Sequence, residues 1–263
     1  MKALFKHEFF KAFRSRTIWV INLVFGLLMV LNLVAAIAVE NIAGAEVAGS
    51  IVSSVNGANA AWGMATNSNM FLIISVWVAT IVVYDISKQT IKNTLMAGYS
   101  RMEVLVVKFV VTAAMLGITY VGLTILSLLA QCAVGSWGEA FTFLSFSRNF
   151  IEPFFLGLLV MVAFIGFAFF IAFWTKNTVL VVLCNLILTF IMSILQMIYA
   201  VNTMAGDTSP FLEFLFKIYF GTSIGMYMDA PSFVNFIYVV CSALIIFLPI
   251  IGAYFIFKKS EIK

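Results

Sequence analysis

The chain has 263 residues, 63% of them hydrophobic and 10% charged, with a mean hydropathy of +1.12. A soluble domain carries about 25% charged residues, so a water-facing globule is excluded and an integral membrane protein is expected. The net charge of +4 would point to nucleic acid only if the basic residues gathered on a soluble domain, and none is encoded.

In chain order, residues 1–16 read MKALFKHEFFKAFRSR. They are helix formers without Pro or Gly. Phe5, Phe9, Ala12 and Phe13 fall on one stripe at helical spacing, with basic residues around the rest. A basic helix with such a stripe beside a span is expected to lie in the membrane interface, against lipid. His7 is the sole histidine and builds neither a metal site nor a triad.

A membrane-spanning helix needs about 20 mainly apolar residues. Six stretches qualify: 17–39, 67–85, 105–131, 153–174, 178–200 and 233–257. The first follows a basic segment and holds small residues at 34–38, but its apolar run is too long for a cleaved leader, so it is read as a retained span. Cys132, Cys184 and Cys241 lie in or beside apolar runs without metal-ligand spacing and read as ordinary buried thiols.

Orientation follows from Lys and Arg. With both termini in the cytoplasm, the inner segments 1–16, 86–104, 175–177 and 258–263, together with Lys108, hold thirteen of the fifteen basic residues; only Arg148 and Lys217 fall outside. Seven acidic residues, Glu40, Glu46, Glu139, Glu152, Asp207, Glu213 and Asp229, fall on the outer side.

Between the second and third spans the chain reads KQTIKNTLMAGYSRMEVLVVK over residues 88–108. The run 86–97 has no Pro or Gly. Gly98 suits the left-handed position that ends a helix, and Ser100 with Glu103 forms a capping box. A short cytosolic helix over 86–98, a tight turn and a fresh helix start are therefore expected. Two helices can be joined by about 2–8 residues, as at Thr175-Lys176-Asn177, so this longer loop is read as a docking element for a cytosolic partner. Before the sixth span, residues 208–232 are apolar but interrupted by Gly221 and Gly225 and bracketed by Pro210 and Pro231. The unbroken run from Phe211 to Phe220 is too short to cross, so the stretch is expected to form a re-entrant or interfacial element on the outer side.

The loop pattern Lys88-x-Thr90-x-x-Asn93-Thr94-Leu95-x-x-Gly98-x-Ser100-Arg101-x-Glu103, followed by Lys108, resembles the loop between the second and third spans of ABC-2 type transporter permeases. The segment from Lys6 to Arg16, the six-span plan and the apolar outer element resemble theirs as well. Gln89 stands where an acidic residue is common in that loop. The resemblance implies an all-α membrane protein, a single permease domain over 1–263 with six transmembrane helices. Its special elements would be the N-terminal interfacial helix 1–16, the coupling helix 86–98 and the outer element 208–232. It further implies a subunit of a bacterial exporter in the cell membrane. Coupling to the ATPase would fall to Lys88, Gln89, Thr90, Lys92, Asn93, Gly98, Ser100, Arg101 and Glu103, with Lys88 and Arg101 as the polar contacts. The chain contains no GxxxxGK[ST] phosphate loop. ATP and Mg are therefore expected in a separate ATPase subunit, and a second permease chain, identical or related, would complete the pore. No cofactor is expected in this chain.

The alternative is a secondary transporter or channel working without an ATPase. Such proteins place ionisable residues within spans, whereas here Asp85 and Lys108 stand at span ends. The polar residues of the spans include Asn22, Asn32, Ser75, Asn185 and Gln196, which either line a substrate pathway or hydrogen-bond helix to helix. The Phe- and Met-rich remainder suits a hydrophobic or amphipathic cargo such as a peptide, an antimicrobial or a lipid. In a cysteine-free background, a cysteine at position 260 should resist an impermeant thiol reagent added to intact cells, and labelling there would overturn the orientation.

Overall fold

The computed structural model describes residues 1–43, 60–65, 69–135, 142–205, 227 and 233–259. Among them all regular structure is helical. The expected outer element at 208–232 lies outside the described residues, save Tyr227.

Helix α1 (Lys2–Phe13) and α2 (Arg16–Ala43) are separated by Arg14 and Ser15, where the chain bends by 52°. A short helix α3 follows at Ala60–Ala65. Helix α4 runs from Asn69 to Ser87 through Asn69–Val78, a π-helical turn at Ala79–Val83, and Tyr84–Ser87. Helix α5 is Thr90–Met96 and α6 is Arg101–Gly135. Helix α7 comprises Phe143–Phe146, a second π turn at Ser147–Ile151, and Glu152–Thr175. Helix α8 is Thr178–Ala205, α9 is Phe233–Phe247 and α10 is Pro249–Lys259.

Helices thus stand at all six positions where spans are expected. Among the described residues, four helical stretches are long and apolar enough to cross a membrane: Met70–Ser87, Arg101–Ala133, Phe143–Thr175 and Phe233–Lys259. The bent pair of α1 and α2, taken as one span, makes five.

Local chemistry explains the boundaries. Thr142 caps α7 reciprocally with Ser145: each backbone N–H donates to the other's hydroxyl, at 3.0 and 3.1 Å. Pro153 lacks an N–H for the carbonyl four residues back and would clash with it in a regular helix. The π turn just before it widens the backbone, so that Glu152 N–H reaches Ser147. Lys176 adopts φ +52° and ends α7, while Asn177 Oδ1 accepts from Val179 N–H at 2.9 Å and starts α8. Two residues thus make the minimal connection the sequence implies.

The chain divides into two compact units. The first comprises Met1–Ile18, Ser68–Leu116 and Leu159–Lys263. Its core is aromatic: Phe71 stacks on Phe164 at 4.2 Å between centroids, Phe109 meets both Phe169 and Phe247 edge-on, and Phe173 lies 4.8 Å from Phe257. In water such contacts would be driven by burial. In lipid, close packing itself must hold the helices together.

The second unit, Trp19–Asn67 with Gly117–Leu158, shows that dependence at one point. Gly157 of α7 lies against Tyr120 of α6 and Ala65 of α3. A side chain there would collide with the Tyr120 hydroxyl and come within 2.9 Å of the Ala65 backbone. Gly157→Val should therefore lower stability by about 1–3 kcal/mol, the usual cost of overpacking. Gly122→Ala, with open space around it, should be neutral. Thermal unfolding of the two variants in detergent checks the contrast.

Candidate functional site

Helix α1 buries Leu4, Glu8 and Ala12, one row at i, i+4, i+8. The expected stripe of Phe5, Phe9 and Phe13 forms the neighbouring row, its rings stacked at 5.9 and 6.1 Å. Ala12 belongs to the buried row instead. The helix meets protein through the row that holds a carboxylate and leaves Phe10 and Phe13 exposed.

Glu8 is drawn inward by Lys108 of α6. The Lys108 ammonium is almost fully buried. It donates to Glu8 Oε2 at 3.1 Å, to Asp85 Oδ2, and to the backbone carbonyl of Ile81 at 3.1 Å. Ile81 sits in the π turn of α4, where the widened helix turns a carbonyl toward the side chain of another helix. All three donors of the ammonium therefore find an acceptor. Asp85, itself buried, also binds Lys11 of α1 through Oδ1 and accepts from the Thr90 hydroxyl at 3.0 Å. Two acids and two cations neutralise one another. They tie α1, the end of α4, the start of α5 and the body of α6 into one knot.

From this knot hangs the 88–103 loop. The expected helix over 86–98 is corrected to Thr90–Met96: Ile86 and Ser87 extend α4, and Lys88 and Gln89 form a turn in which Gln89 takes φ +56°. The reason is local. Asp85, in the last turn of α4, is held in the ionic knot and accepts from the Thr90 hydroxyl, so the chain must turn between them, and the left-handed Gln89 makes that turn. Gly98 has φ +91° and ends α5, with its N–H on Leu95. Ser100 and Glu103 form the capping box: Ser100 N–H donates to Glu103 Oε2 at 2.8 Å, and Glu103 N–H to Ser100 Oγ at 3.2 Å.

Arg101 stands apart from the other loop residues. Its Nη1 donates to the carbonyls of Phe257 and Lys258 at 2.7 and 2.6 Å, and its guanidinium lies 5.9 Å from the Phe257 ring centroid. It satisfies orphan carbonyls at the end of α10, where a cation is also favoured by the helix dipole. Its place is an internal clamp, not a free docking contact. The exposed surface of the loop is made instead by Lys88, Gln89, Lys92, Asn93 and Met96, the last 69% exposed.

Of the residues expected along a substrate pathway, three have described side chains: Ser75, Asn185 and Asn22. Ser75 and Asn185 are buried, and each donates to a carbonyl of its own helix, Leu72 and Val181, at 2.7 and 2.8 Å. Asn22 donates to Thr119 at 3.0 Å, joining α2 to α6. The side chains of Asn32 and Gln196 lie outside the described ones.

Sequence reasoning missed the four-charge knot. Its signal was present: Asp85 and Lys108 are charges at the ends of otherwise apolar spans, and such charges need partners. Lys108→Met should lower stability by about 3–5 kcal/mol, the cost of stranding buried carboxylates. Adding Asp85→Asn should recover part of the loss, and a double-mutant cycle on thermal unfolding measures the coupling.

The family model described as "ABC-2 family transporter protein" matches residues 4–196, a stretch that contains the knot and the whole of the 88–103 loop. No curated protein matches the chain.

Proposed function

The chain belongs to the ABC-2 transporter family, and from that premise we propose that it is the pore-forming half of an exporter driven by ATP hydrolysis in a separate subunit. The observation that carries the reading is the mounting of α5. It is a seven-residue helix between two long apolar helices, bounded by left-handed residues at Gln89 and Gly98. It is anchored at one end by Asp85 to the ionic knot and at the other by Arg101 to the end of α10. A load on such a helix passes to its neighbours because no slack segment absorbs it.

In this reading both termini and the α5 loop face the cytoplasm of a bacterial cell, and six helices span the membrane. The ATPase, carrying ATP and Mg, seats on Lys88, Gln89, Lys92, Asn93 and Met96, while Thr90, Gly98, Ser100, Arg101 and Glu103 hold the loop's shape. A second permease chain, identical or related, completes the pathway. The chain's many Phe and Met residues suit a hydrophobic or amphipathic cargo such as a peptide, an antimicrobial or a lipid. A proton-coupled transporter would need an acid free to load and release protons, whereas Asp85 and Glu8 are each held by a lysine.

Substitutions separate the two roles. Lys92→Glu with Met96→Glu, on the exposed face, should leave the permease folded and weaken its co-purification with the ATPase at least about tenfold, since even one lost contact of 1.4 kcal/mol has that effect. Ser100→Ala with Glu103→Ala removes a cap worth about 1 kcal/mol. It should leave the ATPase bound but reduce transport per ATP hydrolysed. Wild-type association in the first variant and wild-type transport in the second would together refute the coupling role.

A further inference from the structure

Beside the knot, and sharing Glu8, Lys11 and Ile81 with it, lies a cavity of about 370 Å³. Its wall is built from α1, the start of α2, the π turn of α4 and the first residue of α8. Glu8, Lys11, Ser15, Thr17, Ile18 and Thr178 line it. Its position is defined by helix ends: Thr17 is in the first turn of α2, Tyr84 in the last part of α4, and Thr178 opens α8. These ends lie among the chain's basic segments, where apolar helices meet the headgroup layer of a membrane.

The polar groups in this cavity have capacity left over. Glu8 is 6% exposed, yet among the described residues it gives only Oε2 to Lys108, and its other oxygen bonds nothing. That oxygen has no protein donor and can accept from a bound group. Lys11 spends one donor on Asp85 and is 40% exposed, so its remaining N–H groups are available. Ser15, Thr17 and Thr178 add hydroxyls. The cavity therefore offers an acceptor of negative charge and a donor of positive charge one helical turn apart on α1, with Ile18 and the π turn as apolar walls. The next residues of α8, Val179 and Leu180, are exposed apolar side chains.

We propose that this cavity binds the headgroup of a membrane aminophospholipid. The primary ammonium donates to the free oxygen of Glu8, the phosphate accepts from Lys11 and the hydroxyls, and the acyl chains leave past Val179 and Leu180. A zwitterion with N–H donors satisfies both charges at once, whereas an anionic headgroup leaves Glu8 unmatched and a quaternary ammonium offers it no hydrogen bond. Occupancy would fasten α1 to the bundle and bring lipid composition to bear on the knot that holds α5. The site is a property of this chain alone and does not depend on the ATPase reading.

The test uses the full-length chain in detergent, with its thermal midpoint followed against added lipid. Phosphatidylethanolamine should raise the midpoint, its N-methylated forms should do so progressively less, and phosphatidylcholine and phosphatidylglycerol should do little. Acyl-free glycerophosphoethanolamine should act only at far higher concentration; an equal effect would make the ligand a soluble one and overturn the lipid assignment. Glu8→Gln should weaken the phosphatidylethanolamine response about tenfold, the value of one charge-assisted hydrogen bond. Should that variant not fold, Ser15→Phe, which fills the cavity while keeping the Glu8–Lys108 pair, should abolish the preference. Equal responses to phosphatidylethanolamine and phosphatidylcholine, or an undiminished preference in Ser15→Phe, overturns the proposal.

Discussion

A lysine ammonium buried among apolar helices is the constraint on which the rest of the first unit depends. Moving such a charge out of water costs several kcal/mol even after relaxation, so Lys108 can occupy its place on α6 only if acceptors surround it. Three do: Asp85, Glu8 and the carbonyl of Ile81. Each comes from a different feature, namely the end of α4, the buried row of α1 and a π turn. The need to solvate one ammonium therefore sets where α1 docks, why α4 departs from regular helical geometry, and where α4 stops.

The consequence reaches the loop through Asp85. Its carboxylate is shared between Lys108, Lys11 and the Thr90 hydroxyl, so the first residue of α5 is fixed by the same charge balance that holds α1. The far end of the loop is fixed by a different chemistry, in which Arg101 fills the carbonyls left open at the end of α10. A helix of seven residues has too few internal hydrogen bonds to persist by itself in water. Its shape is imposed from both ends, and this makes it suited to passing on a push from a partner.

The apolar body relies on a different principle. Lipid removes most of the hydrophobic drive between helices, leaving contact quality and polar satisfaction to decide the packing. The stacked rings of Phe71 and Phe164 and the close approach at Gly157 supply the first. The second shows in Thr112, Thr124 and Thr189, whose hydroxyls each return to a carbonyl four residues back. Ser75 and Asn185 show the same habit, each donating to a carbonyl of its own helix.

Local physics made much of this chain legible from its residues. Helices stand where apolar runs of spanning length occur, because a backbone in lipid must satisfy its own hydrogen bonds. Gly98 is left-handed and Ser100–Glu103 is a capping box because both motifs are closed within four residues. The start of α5 was read too early, at 86 instead of Thr90, since the turn at Gln89 answers to Asp85 and not to any breaker in the sequence. Arg101 looked like a free cation because its acceptors lie 156 and 157 residues away. The knot itself joins positions 23, 74 and 100 residues apart. The sequence by itself determined that Asp85 and Lys108 needed partners, but hydropathy and propensity describe a residue and its near neighbours. Which charges meet, and which helices they bind together, was decided only by tertiary structure, because a buried charge is neutralised by whatever the fold brings within hydrogen-bond distance.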